Sequence, residues 1–223
     1  MLMKTCGQKL AFTLVEMLLV IAIVLILISM VVGVTKHIYD QGKVRLCKST
    51  IELVGNALEQ FRDFDYEYKH IDYREFDFPL DCNDFPVTRN VLVPTLEKAL
   101  NLPGGIIITG GTHAPEFSGS EALYFFLNQV PDCRTTIHKI DKSLLTNLGS
   151  DKVEMMINVN GKISPLMRIE DPWKTPLRYD YYYDDTVLPL MPDPDTKKTF
   201  PVITSAGPDK IFDTGDDISN SKP

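Results

Sequence analysis

The sequence predicts an α+β protein: one long N-terminal helix, apolar in its first half and amphipathic in its second, packed on a small antiparallel β-sheet. Three observations predict it. Residues 12–34, FTLVEMLLVIAIVLILISMVVGV, are 23 positions counting both ends and hold one charge, Glu16. A stripe of Val44, Cys47, Ile51, Val54, Leu58 and Phe61 then recurs at spacings of three and four, the period of one helix face. Nearer the C-terminus, an Asn160-Gly161 pair stands between two strand-like runs, and residues 177–183 alternate in character, both β signals.

The first run is long enough to cross a bilayer as a helix, which needs roughly 20 apolar residues. An acid at its fifth position is costly there and marks a functional position. The leader before it, MLMKTCGQKLA, carries Lys4 and Lys9 and no acid. A secretory signal peptide fits poorly, because its apolar core is shorter and ends in a small-residue cleavage site, and none precedes Lys36 and His37. A signal anchor fits the length, with the lysines held in the cytoplasm, yet leaves Glu16 without a reason. No proline interrupts residues 12–78, so one helix is expected to about residue 64, about 80 Å at 1.5 Å per residue. Gly33, Gly42 and Gly55 weaken it by about 1 kcal/mol each. The stripe spans too few heptads for a coiled coil, so the rest of the chain must supply its partner surface.

The 223 residues suffice for one domain behind that helix. The formal net charge is −7, and without residues 1–11 there remain 21 basic against 30 acidic residues. An acidic domain argues against a nucleic-acid partner, which needs a basic patch, and is compatible with metal cations. Of the four cysteines, Cys6 lies in the leader and Cys47 in the helix. Cys82 and Cys133 are either a disulfide, if that part lies outside the cytoplasm, or two unpaired small hydrophobes.

Residues 65–94 are acidic, aromatic and turn-rich, with no clean period; they read as an ordered surface excursion. A short helix is expected over 89–102 with Pro94 in its first turn, and a short strand over 106–109. Ser118 followed by Glu121 reads as a capping box, opening a helix whose core face is Ala122, Leu123, Phe125, Phe126, Leu127 and Val130 and which Pro131 stops. A further helical turn is expected over 144–148, and a hairpin over 153–159 and 162–166 about a type I′ Asn-Gly turn. No catalytic set is visible: His37, His70, His113 and His138 are scattered, and no nucleophile elbow, zinc-protease, phosphate-loop or C-x-x-C motif occurs. The chain is not expected to be an enzyme.

After Asp171-Pro172-Trp173, strands are expected over 177–183 and 199–204, the second off-centre because of Pro201, with a proline-marked loop at Pro189, Pro192 and Pro194 between them. Trp173, the single Trp, reads as a core or hinge plug. The stretch SAGPDKIFDTGDDI, residues 205–218, gathers Asp209, Asp213, Asp216 and Asp217 around Gly207 and Gly215. Such a loop holds the oxygens that a hard cation such as Ca²⁺ wants, and a solvated acidic turn explains the same composition. The EF-hand pattern is absent.

Two of these stretches carry a resemblance. AFTLVEMLLVIAIVLILISM, residues 11–30, resembles the N-terminal signal of the type IV pilin and pseudopilin superfamily. DPW, a strand, then SAGPD and GDD are similar to the C-terminal part of the major pseudopilin of type II secretion systems. The resemblance covers residues 11–64 and 171–218, and the middle, 65–170, is longer than the family core. It implies a pilin-like fold divided into a cleaved leader, 1–11, a transmembrane and filament-core helix, 12–35, and a globular domain, 36–223, outside the cytoplasm. It implies that a prepilin peptidase cuts between Ala11 and Phe12 on the cytoplasmic side and methylates Phe12. Gly usually precedes that cut; Ala11 is also small, so cleavage is expected to be slower rather than lost. Glu16 then matches the family's fifth-position glutamate, which meets a neighbouring subunit's new amine, since a buried carboxylate is costly unless paired. The resemblance also implies Ca²⁺ in the last loop, on Asp209, Asp216 and Asp217, with Ser205 and Asp213 as further candidates.

The function so implied is a structural subunit of a pseudopilus in protein export, a single-pass protein of the bacterial inner membrane. Its partners would be like subunits in a helical filament and an inner-membrane assembly platform. A pilus for adhesion, motility or DNA uptake is the neighbouring alternative. A membrane-anchored Ca²⁺-binding domain that never assembles is the alternative of another class.

Overall fold

A computed structural model describes residues 14–64, 78–79, 82, 92–100, 102–181 and 200–220, with only the backbone of 30–37 and 98–99. The chain is α+β. Helix α1 runs over Leu14–Asp63, and the chain divides into two compact units, Met1–Gly42 and Lys43–Pro223. In the first unit the side chains described on α1, those of residues 14–29 and 38–42, are all exposed, with large apolar residues from Leu14 to Ile28 at 45–80 % exposure. Among the described residues no helix is long and apolar enough to cross a membrane. The described side chains of the apolar run number 16, counting 14 through 29, and the sequence stays apolar to Val34.

In the second unit α1 turns from bare to buried. Cys47, Ile51, Val54, Leu58 and Phe61 are at most 3 % exposed, as is Ala57 between them. Each large apolar side chain so covered contributes about 1.5–3 kcal/mol. Val44, at the start of the stripe, is only half-buried. The covering surface includes helix α4, Pro131–Ile137: the Cys133 thiol donates to the Ala57 carbonyl at 3.2 Å and the Thr136 hydroxyl to Gln60 Oε1 at 2.8 Å.

The middle of the chain builds core. Helix α2, Leu92–Leu100, buries Leu92 and Leu96. Residues 89–91 and 101 of the expected helix lie outside the described residues. The described pieces of the aromatic stretch are interior, not a surface excursion. Phe78 stacks edge-on against Tyr181 and Phe200, and the Tyr179 hydroxyl donates to the Pro79 carbonyl at 2.8 Å. Helix α3, Ser118–Gln129, is buried on nearly every side and follows a 3₁₀ turn over Pro115–Phe117. Its N-cap is Phe117, with no side-chain cap bond, so the capping box does not form. Ser118 is fully buried, and Glu121 has better partners described below. Pro131 does not merely stop α3. Val130 is extended, and Pro131 opens α4 at a first-turn position that needs no amide hydrogen.

Among the described residues the β-structure is three small antiparallel sheets. Strands β1 (Ile106–Gly110), β3 (Met155–Val159) and β4 (Lys162–Pro165) form one in the order β1-β3-β4. Strands β2 (Leu145–Thr146) and β5 (Arg168–Ile169) form a pair. Strands β6 (Arg178–Asp180), β7 (Val202–Ser205) and β8 (Ile218–Ser219) form the third. The β3–β4 hairpin turns at Asn160, φ 52°, and Gly161, φ 89°, the two left-handed residues that a type I′ turn demands. Residues 144–148 differ from the expected helical turn: a 3₁₀ turn over Lys142–Leu144 gives way to β2. Strand β7 is the central strand of its sheet, not an off-centre one, because Pro201 falls just before it and costs no ladder bond. The loop at Pro189, Pro192 and Pro194 lies outside the described residues, as do Tyr182 and Tyr183.

Cys47, Cys82 and Cys133 are buried and, among the described residues, in no disulfide. The Cys82 thiol donates to the Ser118 carbonyl at 3.3 Å, far along the chain from the Ala57 carbonyl that takes Cys133. The two act as small interior hydrophobes, not as a disulfide. Cys6 lies outside the described residues.

Candidate functional site

Among the described residues, two groups of polar side chains and one apolar surface carry the chemistry. The first group is the loop between β7 and β8. It starts from the turn at Asp171, whose Oδ1 accepts the amides of Trp173 and Thr175, each at 2.9 Å, and whose Oδ2 accepts the Ser205 hydroxyl at 2.7 Å. Ser205 Oγ also accepts the Gly207 amide at 3.1 Å. Gly207 has φ 67°, and a Cβ there would run into the Asp216 carbonyl, so the bend needs glycine. Trp173 lies partly buried against the core, in keeping with a plug.

Beyond that bend each acid holds its own loop. Asp209 Oδ1 accepts the Ile211 amide at 2.8 Å and Asp217 Oδ2 the Asp213 amide at 2.8 Å. Asp216 Oδ1 accepts the Thr214 hydroxyl at 2.7 Å and its Oδ2 the Asp209 amide at 3.2 Å. The Thr214 hydroxyl, foremost, holds the Asp216 carboxyl below its ordinary range. Asp213 faces away from these acids to Arg178 of β6, whose Nη2 and Nη1 donate to its two oxygens at 2.9 and 3.2 Å. Arg178 Nε is 3.1 Å from Asp180 Oδ2, and its guanidinium stacks over the Phe212 ring at 4.6 Å. The bond to Arg178 lowers the Asp213 pKa and raises that of Arg178, while burial raises that of Asp180.

Calcium needs six to eight oxygens turned toward one point. The oxygens here are turned elsewhere: Ser205 to Asp171, Asp213 to Arg178, Asp216 to Thr214 and Asp209. Among the described residues no three His, Cys, Asp or Glu side chains come together as a metal-holding group. Asp217 Oδ1, buried and without a hydrogen-bond partner, is the one atom of the loop that asks for a cation. One such oxygen makes no calcium site, and the loop in this arrangement does not fit the ion.

The second group is internal and was not visible in the sequence. Glu121, fully buried on α3, accepts or shares a proton with His113 Nε2 at 2.8 Å, and its other oxygen is 3.9 Å from Arg168 Nη1. Arg168 donates to Glu170 Oε1 at 2.9 Å and to the Leu148 carbonyl at 2.6 Å, and its guanidinium lies 3.8 Å from the Phe117 ring centroid. The group ties α3, β5 and the β2–β3 connection together. One signal could have found it: the ALYFFL run of α3 has no polar face, a helix apolar all round is buried, and a carboxylate on it must be paired. His138 lines a groove with Tyr124, Asn128 and Pro165. His37 and His70 have no described side chain.

The apolar surface is the exposed part of α1. Glu16 sits in its first turn, where the amide ends of a helix favour an acid. Ala11 and Phe12 lie outside the described residues. Compared with known proteins, the chain matches no family model, no curated protein and no solved structure.

Proposed function

We propose that this chain is a structural subunit of a pilin-like filament, of the pseudopilus kind that serves type II protein secretion. One observation carries the reading: α1 begins as an apolar, exposed run bearing a lone acid, Glu16, and continues as a stripe buried within the second compact unit. A row of large apolar side chains at that exposure needs a lipid or protein environment. The run serves both in turn: the inner membrane before assembly, with the leader lysines in the cytoplasm, and the packed centre of a filament afterwards. The FTLVE sequence after Ala11 supports cleavage by a prepilin peptidase and methylation of Phe12. The new amine of one subunit then neutralises Glu16 of another. The α+β unit with its small antiparallel sheets is read as the pilin-like head, enlarged by residues 65–170.

The test is mass spectrometry of the mature protein. N-methyl-Phe12 at the N-terminus is the expected result. An intact leader, or a cut after residue 34, overturns the reading and leaves a membrane-anchored domain that does not assemble. A methylated Phe12 in a chain found only in surface pili would move the assignment to the neighbouring pilus systems.

A further inference from the structure

The loop between β7 and β8 has an internal cation. Arg178 stands on β6, opposite Thr204 of β7, and reaches across to Asp213, 35 residues on. Its contact has the fork geometry of a guanidinium on a carboxylate, with both oxygens engaged, which an ammonium cannot reproduce. Asp180 Oδ2 lies 3.1 Å from its third nitrogen, an ion pair without hydrogen-bond geometry, and Phe212 covers its face at 4.6 Å. The backbone conforms to this arrangement. Asp213 is held at φ 68° and Lys210 at φ 63°, conformations that cost a non-glycine residue unless something holds them. The Asp213 amide is in turn fixed by Asp217.

We propose that Arg178 is the resident cation of this loop, closing it where an acidic loop would otherwise call for a divalent metal, so that the loop folds without calcium. The acids are then not a ligand set. Asp209, Asp216 and Asp217 cap backbone amides of their own turn, and Asp213 is the counter-ion of the arginine. The charge supplied is permanent, because a guanidinium does not titrate in the working range, whereas a calcium-closed loop would open whenever the ion was withdrawn. The inference stands on the loop's own contacts and is independent of the filament reading.

The test is amide hydrogen exchange on the full chain in detergent micelles. It compares loop residues 207–217 with the amides of β3 as an internal control, in calcium and in chelator. For the unchanged chain, equal loop protection in both conditions is expected. Arg178→Gln should speed loop exchange at least about threefold, within the range for a partly exposed ion pair, with β3 unaffected, and Arg178→Lys should recover only part of the loss. If Arg178→Gln disturbs β3 as well, Asp213→Asn, which leaves β6 intact, takes its place with the same expected loss. Calcium slowing loop exchange in the unchanged chain more than about threefold would overturn the proposal. Protection that is indifferent to the loss of either partner would overturn it too.

Discussion

The Asp171 carboxylate accepts the Ser205 hydroxyl at 2.7 Å, joining the turn after β5 to the end of β7. Both residues are buried. Removing the hydroxyl in Ser205→Ala should cost about 1–3 kcal/mol, the penalty for unsatisfied buried partners. Asp171→Ala should cost more, because the amides of Trp173 and Thr175 lose their acceptor as well. Urea denaturation of the two variants checks the order. Asp171→Ala as stable as Ser205→Ala would mean that the turn amides find water instead.

A buried acid without its base behaves differently from a buried acid replaced. His113→Ala leaves Glu121 with Arg168 at 3.9 Å as its remaining ionic partner and should be strongly destabilising, about 3 kcal/mol. Glu121→Gln keeps the shape and removes the charge, and should cost less. Thermal melts of both variants, with Arg168→Met as a third, separate charge from packing. A harmless His113→Ala would show that Arg168 alone satisfies Glu121.

Acid should loosen the connection between β2 and β3. Asp151 Oδ2 accepts the amide and hydroxyl of Thr112, both at 2.9 Å, and its Oδ1 the Val153 amide at 3.1 Å. The Val153 amide, chiefly, lowers its pKa below 3.8 in the folded chain. A depressed folded pKa stabilises the fold above the unfolded value, and that stability is lost as pH falls through the folded one. Asp141, Asp213 and Asp216 are shifted the same way. Asp180, raised by burial, acts in the opposite sense, costing stability as pH rises through its range. Melting temperature should therefore fall on acidification below pH about 4, and less steeply in Asp151→Asn. Parallel acid limbs for the two chains would remove Asp151 from the account.

Periodicity was the legible part of this fold. The 47-51-54-58-61 stripe is buried as its spacing requires, and the Asn160-Gly161 turn has the positive φ pair that its residues favour. Both are local: one helix face, one two-residue turn. What was illegible depends on partners distant in the chain. Glu121 leaves the capping box because His113 and Arg168 meet it in the interior. Residues 145–146 pair with β5 because β5 lies beside them, which no local preference announces. In the acidic loop the composition was read rightly as polar and sharply bent, while the direction of each carboxylate was hidden. Arg178, 35 residues before Asp213, decides it.

The interior thiols should be silent toward alkylation. Cys47, Cys82 and Cys133 are each at most 1 % exposed, and burial, chiefly, pushes the Cys47 pKa up to about 11. The thiolate is the reactive form, so at pH 8 Cys47 is doubly protected. In a Cys6→Ser chain, iodoacetamide should modify none of the three under native conditions and all three in urea. Fast native labelling of Cys47 would indicate that α1 leaves its groove on the labelling timescale.

Glu16 separates anchoring from assembly. Its carboxylate lies in the first turn of α1 among exposed apolar neighbours, which in the proposed membrane stage would insert without its help. An acid in such a run lowers membrane affinity, so Glu16→Leu should insert at least as well as the unchanged chain. In the filament, by contrast, the neutralising partner of a subunit's new amine would be gone, and an unpaired buried charge costs several kcal/mol. Glu16→Leu and Glu16→Ala should therefore fractionate with the inner membrane at normal levels and be depleted from sheared filaments about tenfold or more, the effect of 1.4 kcal/mol per contact. Glu16→Asp, which keeps the charge on a shorter stem, should fall between. Normal incorporation of Glu16→Leu would leave the residue with no more than a favourable place at the helix N-terminus.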